Sequence, residues 1–168
     1  PASALRKLLA PEFVFGVGAL ELSGQFAANL GVTRALLVSD PGVRAAGWTD
    51  AVADHLAAQG VSFRLFEGVS PNPRAAEVMA GAGAYRHEGC DALLAVGGGS
   101  TIDCAKGIGI VVANGGSILD FEGVDQVARP MPPTIGVPTS GGSSADVFQF
   151  AIITDEEHPR KIAVISKA

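Results

Sequence analysis

The chain has 168 residues with a formal net charge of −5, 48% hydrophobic and 17% charged residues, and two cysteines. That is the composition of one folded domain with its own core, which excludes a disordered chain, and the acidic balance argues against nucleic acid or an anionic membrane as a partner. No apolar run approaches the ~20 residues of a membrane-spanning helix, and the opening "PASALRKLLAPEF" has neither the apolar stretch nor the cleavage site of a secretory leader. "EFVFG" (12–16) reads as a strand and "ALELSGQFAANLG" (19–31) as a helix stopped by Gly31. "RALLVSD" (34–40) is a strand, and "TDAVADHLAAQG" (49–60) is an amphipathic helix with Val52 and Leu56 on one face. "VSFRLFE" (61–67) alternates with period two, and "RAAEVMAGAGAYRHEG" (74–89) is again helical. "ALLAV" (92–96) is a fully apolar strand and leads into a helix over "STIDCAKGIGIVVAN" (100–114). Strands and helices in this rhythm predict an α/β, Rossmann-like fold, a parallel sheet with helices on both faces.

The rhythm changes after residue 128. "RPMPPTIGVPTSGGSSAD" (129–146) is rich in Pro, Gly and Ser around one short strand, "TIGV". "VFQFAIITD" (147–155) and "KIAVIS" (161–166), joined by "EEHPR", read as a hairpin added at the sheet edge. Residues 1–168 are read as one domain, and as one cut rather than finished. An unpaired hairpin edge invites strand addition, so pairing with a second copy is one expectation for this segment.

The most informative stretch is "AVGGGSTIDCAKG" (95–107). A strand-to-helix turn needs one glycine at most, and each extra glycine costs conformational entropy. Gly97, Gly98 and Gly99 therefore suggest that something approaches the backbone closely. Ser100 is placed to cap the helix, with Asp103 three residues on, as in a capping box. Free amides and the positive end of the helix dipole at such a start form an anion site, at the strand end where α/β proteins bind ligands. The competing reading is a structural turn. "GVGALE" (16–21) begins like a dinucleotide fingerprint, but Glu21 stands where the third glycine belongs, and a simple turn is the better reading.

Asp40, at the end of a strand in "LLVSDPG", could accept a ribose 2′-hydroxyl and repel a 2′-phosphate, or could simply start an Asp-Pro-Gly turn. Thr139, Ser140, Ser143 and Ser144, with Gly141 and Gly142, form a second polar loop able to wrap a ribose or an amide. Cys90 and Cys104 match no zinc or redox spacing, which fits a reduced, cytoplasmic setting. His55, His87 and His158 are far apart and form no i, i+4 ligand pair, so no metal site is expected among them.

Together "GGGSTIDCAKGIGI", "PTSGGSSADVFQFAIITDEEHPRK", "SPNP" and "FEG" resemble the N-terminal half of the iron-containing (group III) alcohol dehydrogenase family. The wording is most similar to its branch of ErcA-type alcohol dehydrogenase-like regulatory proteins. The resemblance implies an NAD-binding domain of the dehydroquinate synthase-like kind, followed in the complete protein by a helical domain that holds Fe²⁺ or another divalent metal. Gly98, Gly99 and Ser100 would then bind the pyrophosphate, and Asp40 would select NAD. Asn72 would lie near the adenine side. Thr139, Ser140 and Ser143 would line the pyrophosphate, ribose and nicotinamide region. Lys161 would reach a ribose hydroxyl, and Asp103 would face the same cleft. The chain departs from the family's P-T-T-x-G-T-x-x-E in having Ser140, Ser143 and Asp146; the first two keep a hydroxyl, and the last loses a methylene of reach. The implied activity is hydride transfer between a small alcohol and NAD, with this chain alone inactive. A nucleotide-sensing regulatory protein on the same fold shares every motif. A relative of dehydroquinate synthase or glycerol dehydrogenase and a flavodoxin-like domain binding FMN are further alternatives.

Overall fold

The computed structural model describes residues 12–147 and 149–165. The reading of the opening segment therefore lies, up to residue 11, outside the described residues. So do position 148 of the expected 147–155 run and residue 166 of the last expected strand. A 3₁₀ turn, Ala19–Leu22, runs into α1 (Ser23–Asn29). Then follow β1 (Arg34–Val38), α2 (Pro41–Ala45), α3 (Trp48–Ala58), β2 (Ser62–Phe66), α4 (Ala75–His87), β3 (Ala92–Gly97) and α5 (Gly99–Asn114). A second 3₁₀ turn (Ile118–Phe121), β4 (Gly123–Val124), β5 (Thr134–Pro138), β6 (Phe150–Asp155) and β7 (Arg160–Ile165) complete the order.

Strands β2, β1, β3 and β5 lie side by side in that order, all parallel. The period of two in β1 and β3 divides their side chains between two cores. Ala35, Leu37, Leu94 and Val96 pack with Ala27 of α1 and with Val52 and Leu56 of α3. Leu36, Val38, Leu93 and Ala95 pack on the other face with α4 and α5, through Val78, Ala82, Ile102 and Ile108. Helices thus cover both faces, as the alternation predicts. Within the second face, α4 and α5 come close because Gly81 and Gly107 leave room for Ile108 and Val78 respectively.

Three expectations are corrected. Residues 12–15 form no strand; they make no ladder, and Phe13, Val14 and Phe15 are exposed. Apolar composition favours a strand only where a neighbour takes up its N–H and C=O groups. The helix expected over 19–31 is a 3₁₀ turn followed by seven α-helical residues. The hairpin β6–β7 is real and antiparallel, but it is not added to the parallel sheet. It joins β4 in a separate sheet of order β4-β7-β6, whose Ala151, Ile153, Ile162 and Val164 pack on the α4–α5 layer. Helices α4 and α5 therefore lie between two sheets, and the first turn of α5 opens where both end.

Candidate nucleotide-binding site

The site begins with the end of β3. Gly97 is the last strand residue, Gly98 is the extended N-cap, and α5 starts at Gly99. Ser100 is therefore inside the helix, and the expected Ser100–Asp103 capping box does not form. Among the described residues no side chain caps α5. The first amides of a helix have no partner in their own helix, and here they are left to whatever enters the cleft. The Ser100 hydroxyl instead accepts from the Asn72 amide at 3.2 Å. The Asp103 Oδ2 accepts from the Ile152 amide of β6 at 3.2 Å.

The three glycines are explained in part by the protein itself. A Cβ on Gly97 would collide with the side chain of Thr101. One on Gly98 would come within 3.0 Å of the Ser140 Oγ, and one on Gly99 within 2.7 Å of the Ser143 Cβ. The close approach inferred from the glycine run is thus made by the second polar loop, which the missing side chains allow to settle over the first turn of α5. The amide of Thr139 fastens that loop by donating to the Gly97 carbonyl at 3.0 Å.

Two open depressions meet on this turn. One, about 340 Å³, is walled by Asn72, Asp103, Ser143, Thr154 and Lys161. The other, about 500 Å³, is walled by Asp40, Gly98, Thr101, Ser140 and Ser70. Gly99 and Ser100 line both, at the seam. A bipartite ligand lying across the seam would put its middle on the uncapped helix start.

On the first side Asn72 is the node; it shares the depression of Asp103 and Lys161 and not that of Asp40, which departs from its expected place near the adenine side. Its backbone is left-handed, with φ 58°, a conformation asparagine tolerates better than most residues. Its Oδ1 accepts from the Lys161 ammonium at 2.6 Å, and its carbonyl accepts from the Thr154 hydroxyl at 3.3 Å. The loop that carries it is held by Glu77, which accepts from the Ser70 hydroxyl at 2.6 Å and from the Arg74 amide at 3.0 Å. On the second side Asp40 is partly committed. Its Oδ1 caps α2 by accepting from the amides of Gly42 and Val43, and its Oδ2 accepts from the Thr101 hydroxyl at 3.3 Å. Asp-Pro-Gly is thus the start of a helix and not a simple turn, and the carboxylate still faces the depression.

Asp103 is only 8% exposed, and its Oδ1 has no hydrogen-bond partner among the described residues. Burial pushes its carboxyl above the usual aspartate range, against the Ile152 amide and the Lys106 ammonium, which favour the charged form. Of the residues expected at a site, Asp40, Asn72, Gly98, Gly99, Ser100, Asp103, Ser140, Ser143 and Lys161 all line one depression or the other. Gly97 and Thr139 line neither; they are hydrogen-bonded to each other beneath the loop. Sequence reading missed Thr101, which joins Asp40 to α5, and Thr154, Ser70 and Lys106. Their signal is weak because each acts through a partner more than five residues away.

A family model described as iron-containing alcohol dehydrogenase matches residues 10–168. Choline dehydrogenase of Bacillus subtilis is 43% identical over 149 residues, which are 87% of this chain and 37% of that protein. The NAD-dependent methanol dehydrogenase of Bacillus methanolicus is 35% identical over 157 residues, covering 94% of this chain and 41% of the relative. Among solved structures, a 1,3-propanediol oxidoreductase superposes with a TM-score of 0.92 at 34% identity, covering 97% of this chain and 43% of that one. The chain thus spans about two fifths of the length of these relatives. They establish a family and do not reach the regulatory branch within it.

Proposed function

The chain belongs to the iron-containing alcohol dehydrogenase family, and from that premise we propose that it is the nucleotide-binding part of an enzyme that passes a hydride between a small alcohol and NAD. The observation that carries this is the seam: two depressions joined over the uncapped start of α5 suit a molecule with two nucleoside halves and an anionic middle. The residues fit NAD on both sides. The amides of Gly98, Gly99 and Ser100 receive the diphosphate. The Ser100 oxygen already accepts from Asn72, so its own proton is free to donate to a phosphate oxygen. Asp40 keeps lone pairs for a ribose 2′-hydroxyl, and its charge repels a 2′-phosphate, favouring NAD over NADP. Lys161, aimed by Asn72, and the hydroxyl of Ser143 serve the ribose and nicotinamide side, while Ser140 stands with Asp40 on the other and Thr139 anchors the loop from beneath.

NAD held by Asp40, Ser100, Asn72 and Lys161 would supply a hydride acceptor, and a divalent metal, Fe²⁺ or a substitute, would supply Lewis acidity for the alcohol. No cluster of His, Cys, Asp or Glu able to hold such an ion occurs among the described residues. The part played by this chain is to bind NAD, orient it by the Asn72–Lys161 and serine contacts, and reject its phosphorylated analogue. No helix among the described residues is long and apolar enough to cross a membrane, and a dissolved small alcohol or aldehyde is the substrate class this reading calls for. Its place is the cytoplasm, and residues 1–168 act as one domain of the larger protein.

The test is titration of the full-length protein with NADH and NADPH, followed by assay with short alcohols, NAD and added Fe²⁺ or Zn²⁺. NADH binding in preference to NADPH, with turnover by the full-length protein and none by residues 1–168 alone, is expected. Absence of NADH binding would overturn the reading. Binding without turnover under every metal would turn it into a nucleotide sensor.

A further inference from the structure

The backbone that carries Asp40 is fixed from the floor of the cleft. Ser39, fully buried, donates its amide to the Phe66 carbonyl of β2 at 2.9 Å and its hydroxyl to the Val96 carbonyl of β3 at 2.9 Å. That hydroxyl has a single proton, so the buried Thr49 hydroxyl, 2.7 Å away, is the donor in their contact. Asp40 thus starts from a point tied to β2, β3 and α3 together. What these bonds leave open is the direction of its carboxylate.

That direction is set by two elements. Oδ1 accepts from the amides of Gly42 at 2.9 Å and Val43 at 3.0 Å, which commits it to α2. A carboxylate held by one oxygen can still swing about it. Among the described residues the one hydrogen-bond partner of Oδ2 is the Thr101 hydroxyl of α5, at 3.3 Å. Thr101 is only 1% exposed, although it lines the depression beside Asp40. A hydroxyl so buried needs a partner, and here that partner is an acid at the cleft. Gly97 makes the reach possible: a Cβ there would stand 2.6 Å from the Thr101 Cβ, and its absence lets the threonine lie against the end of β3.

We propose that Thr101 is a specificity-determining positioning residue: its hydroxyl aims Asp40 Oδ2 so that a remaining lone pair meets the 2′-hydroxyl of the adenosine ribose, while the amides of Gly99 and Ser100 beside it take the diphosphate. This rests on NAD being the ligand. Two contributions to selectivity then separate. Repelling a 2′-phosphate needs the charge of Asp40 and hardly depends on where the oxygens point. Accepting a hydroxyl needs the direction, and holding it before the ligand arrives spares the cost of ordering it on binding. Asp40 supplies the charge and Thr101 the aim.

The experiment titrates the full-length protein with NADH, NADPH and an NADH analogue that lacks the 2′-hydroxyl of the adenosine ribose. Thr101→Val keeps the shape of the side chain and removes the donor. It should raise the NADH dissociation constant about tenfold, the low end for a hydrogen bond to a charged group, and leave those of NADPH and the deoxy analogue within about twofold. Thr101→Ser, which restores the hydroxyl, should recover NADH affinity. Equal weakening of NADH and the deoxy analogue would show a structural role and overturn the proposal, and so would unchanged NADH binding. If the wild-type protein binds NADH and the deoxy analogue alike, Asp40 takes no 2′-hydroxyl, and the proposal falls while the diphosphate reading stands. A wild-type protein that binds none of these nucleotides removes the NAD reading and this proposal with it. Should Thr101→Val not fold, Thr101→Ala compared with Thr101→Ser isolates the same hydroxyl with the same ligands.

Discussion

Replacing Gly99 with alanine adds one methyl group at the seam of the site. Gly99 is the first residue of α5 and already helical, so the backbone accepts alanine, and helix propensity alone would favour it by up to about 1 kcal/mol. The methyl, however, would stand 2.7 Å from the Ser143 Cβ and 3.0 Å from its Oγ. Ordinary carbon–carbon contact is at about 3.5–4.0 Å, so the loop must retreat by roughly 1 Å. Overpacking of this kind costs about 1–3 kcal/mol. The two terms oppose each other, and the net loss of stability should be no more than about 2 kcal/mol. The effect on the ligand does not cancel. A displaced Ser143 and a shielded amide remove at least one hydrogen bond to a charged group, worth about 1.5–3 kcal/mol, or about 10- to 150-fold in dissociation constant. Gly98→Ala is the internal control: it meets only the Ser140 Oγ at 3.0 Å, and that hydroxyl can rotate away. NADH titration and thermal unfolding of both variants in the full-length protein measure the two effects separately. If Gly99→Ala binds NADH as tightly as wild type, the diphosphate does not sit on this turn.

Other outcomes follow from the same geometry. Asp40→Asn keeps an acceptor for the α2 amides but removes the charge, so NADPH binding should improve relative to NADH by about tenfold, measured by parallel titrations. Gly24→Ala would put its methyl well inside 3.0 Å of the His55 carbonyl, a backbone atom that cannot step aside. A loss of about 3 kcal/mol is expected, or about 10 °C in Tm by calorimetry. Asp91 accepts from the amide and hydroxyl of Thr33 and from the amide of Arg34, which fixes the start of β1. Burial alone would raise its pKa, yet these bonds hold it below the usual aspartate value of 3.8. The stability it supplies is thus complete above that value and lost as pH falls through the lower folded one. Asp91→Ala should therefore cost about 1–2 kcal/mol at pH 7 and much less near pH 2, by denaturant titration at both. Cys104 is fully buried and its thiol is pushed up to about 12, chiefly by burial. Iodoacetamide at pH 8 should leave it unmodified in the folded protein and label it after unfolding, as read by mass spectrometry.

The legible part of this molecule is the part with short-range causes. Period two in β1, the fully apolar β3, and the glycines that end α1, α3 and α4 in left-handed backbone at Gly31, Gly60 and Gly89 are local signals, and the structure follows them. Nine of the eleven expected site residues line the cleft because a glycine turn at a strand end and a serine loop after the next strand meet by topology. What sequence reading missed depends on partners far along the chain. Residues 12–15 carry strand-like side chains but find no ladder. Ser100 and Asp103 have the spacing of a cap, yet Gly98 takes the N-cap two residues earlier and leaves both side chains to other tasks. A capping pattern states what two side chains could do for each other. It is silent about Asn72, 28 residues before Ser100, and Ile152, 49 residues after Asp103, which compete for them.

That competition explains why the first turn of α5 is left open. Had Ser100 capped the helix, its hydroxyl would have satisfied an amide of the first turn, and the positive end of α5 would have been quenched from within. Asn72 and Ile152 draw the two polar side chains away from the helix start, and Gly98 offers no side chain in their place. The same interactions tie both walls of the cleft to α5: Ser100 to the Asn72 loop, Asp103 and Lys106 to the segment after Ser143. Because α5 packs against the parallel sheet on one side and β6 on the other, it sets the distance between those walls. The anion site proposed here and the width of the cleft around it would therefore both depend on one helix, and a change that shifts α5 should alter NAD affinity before it alters the parallel sheet.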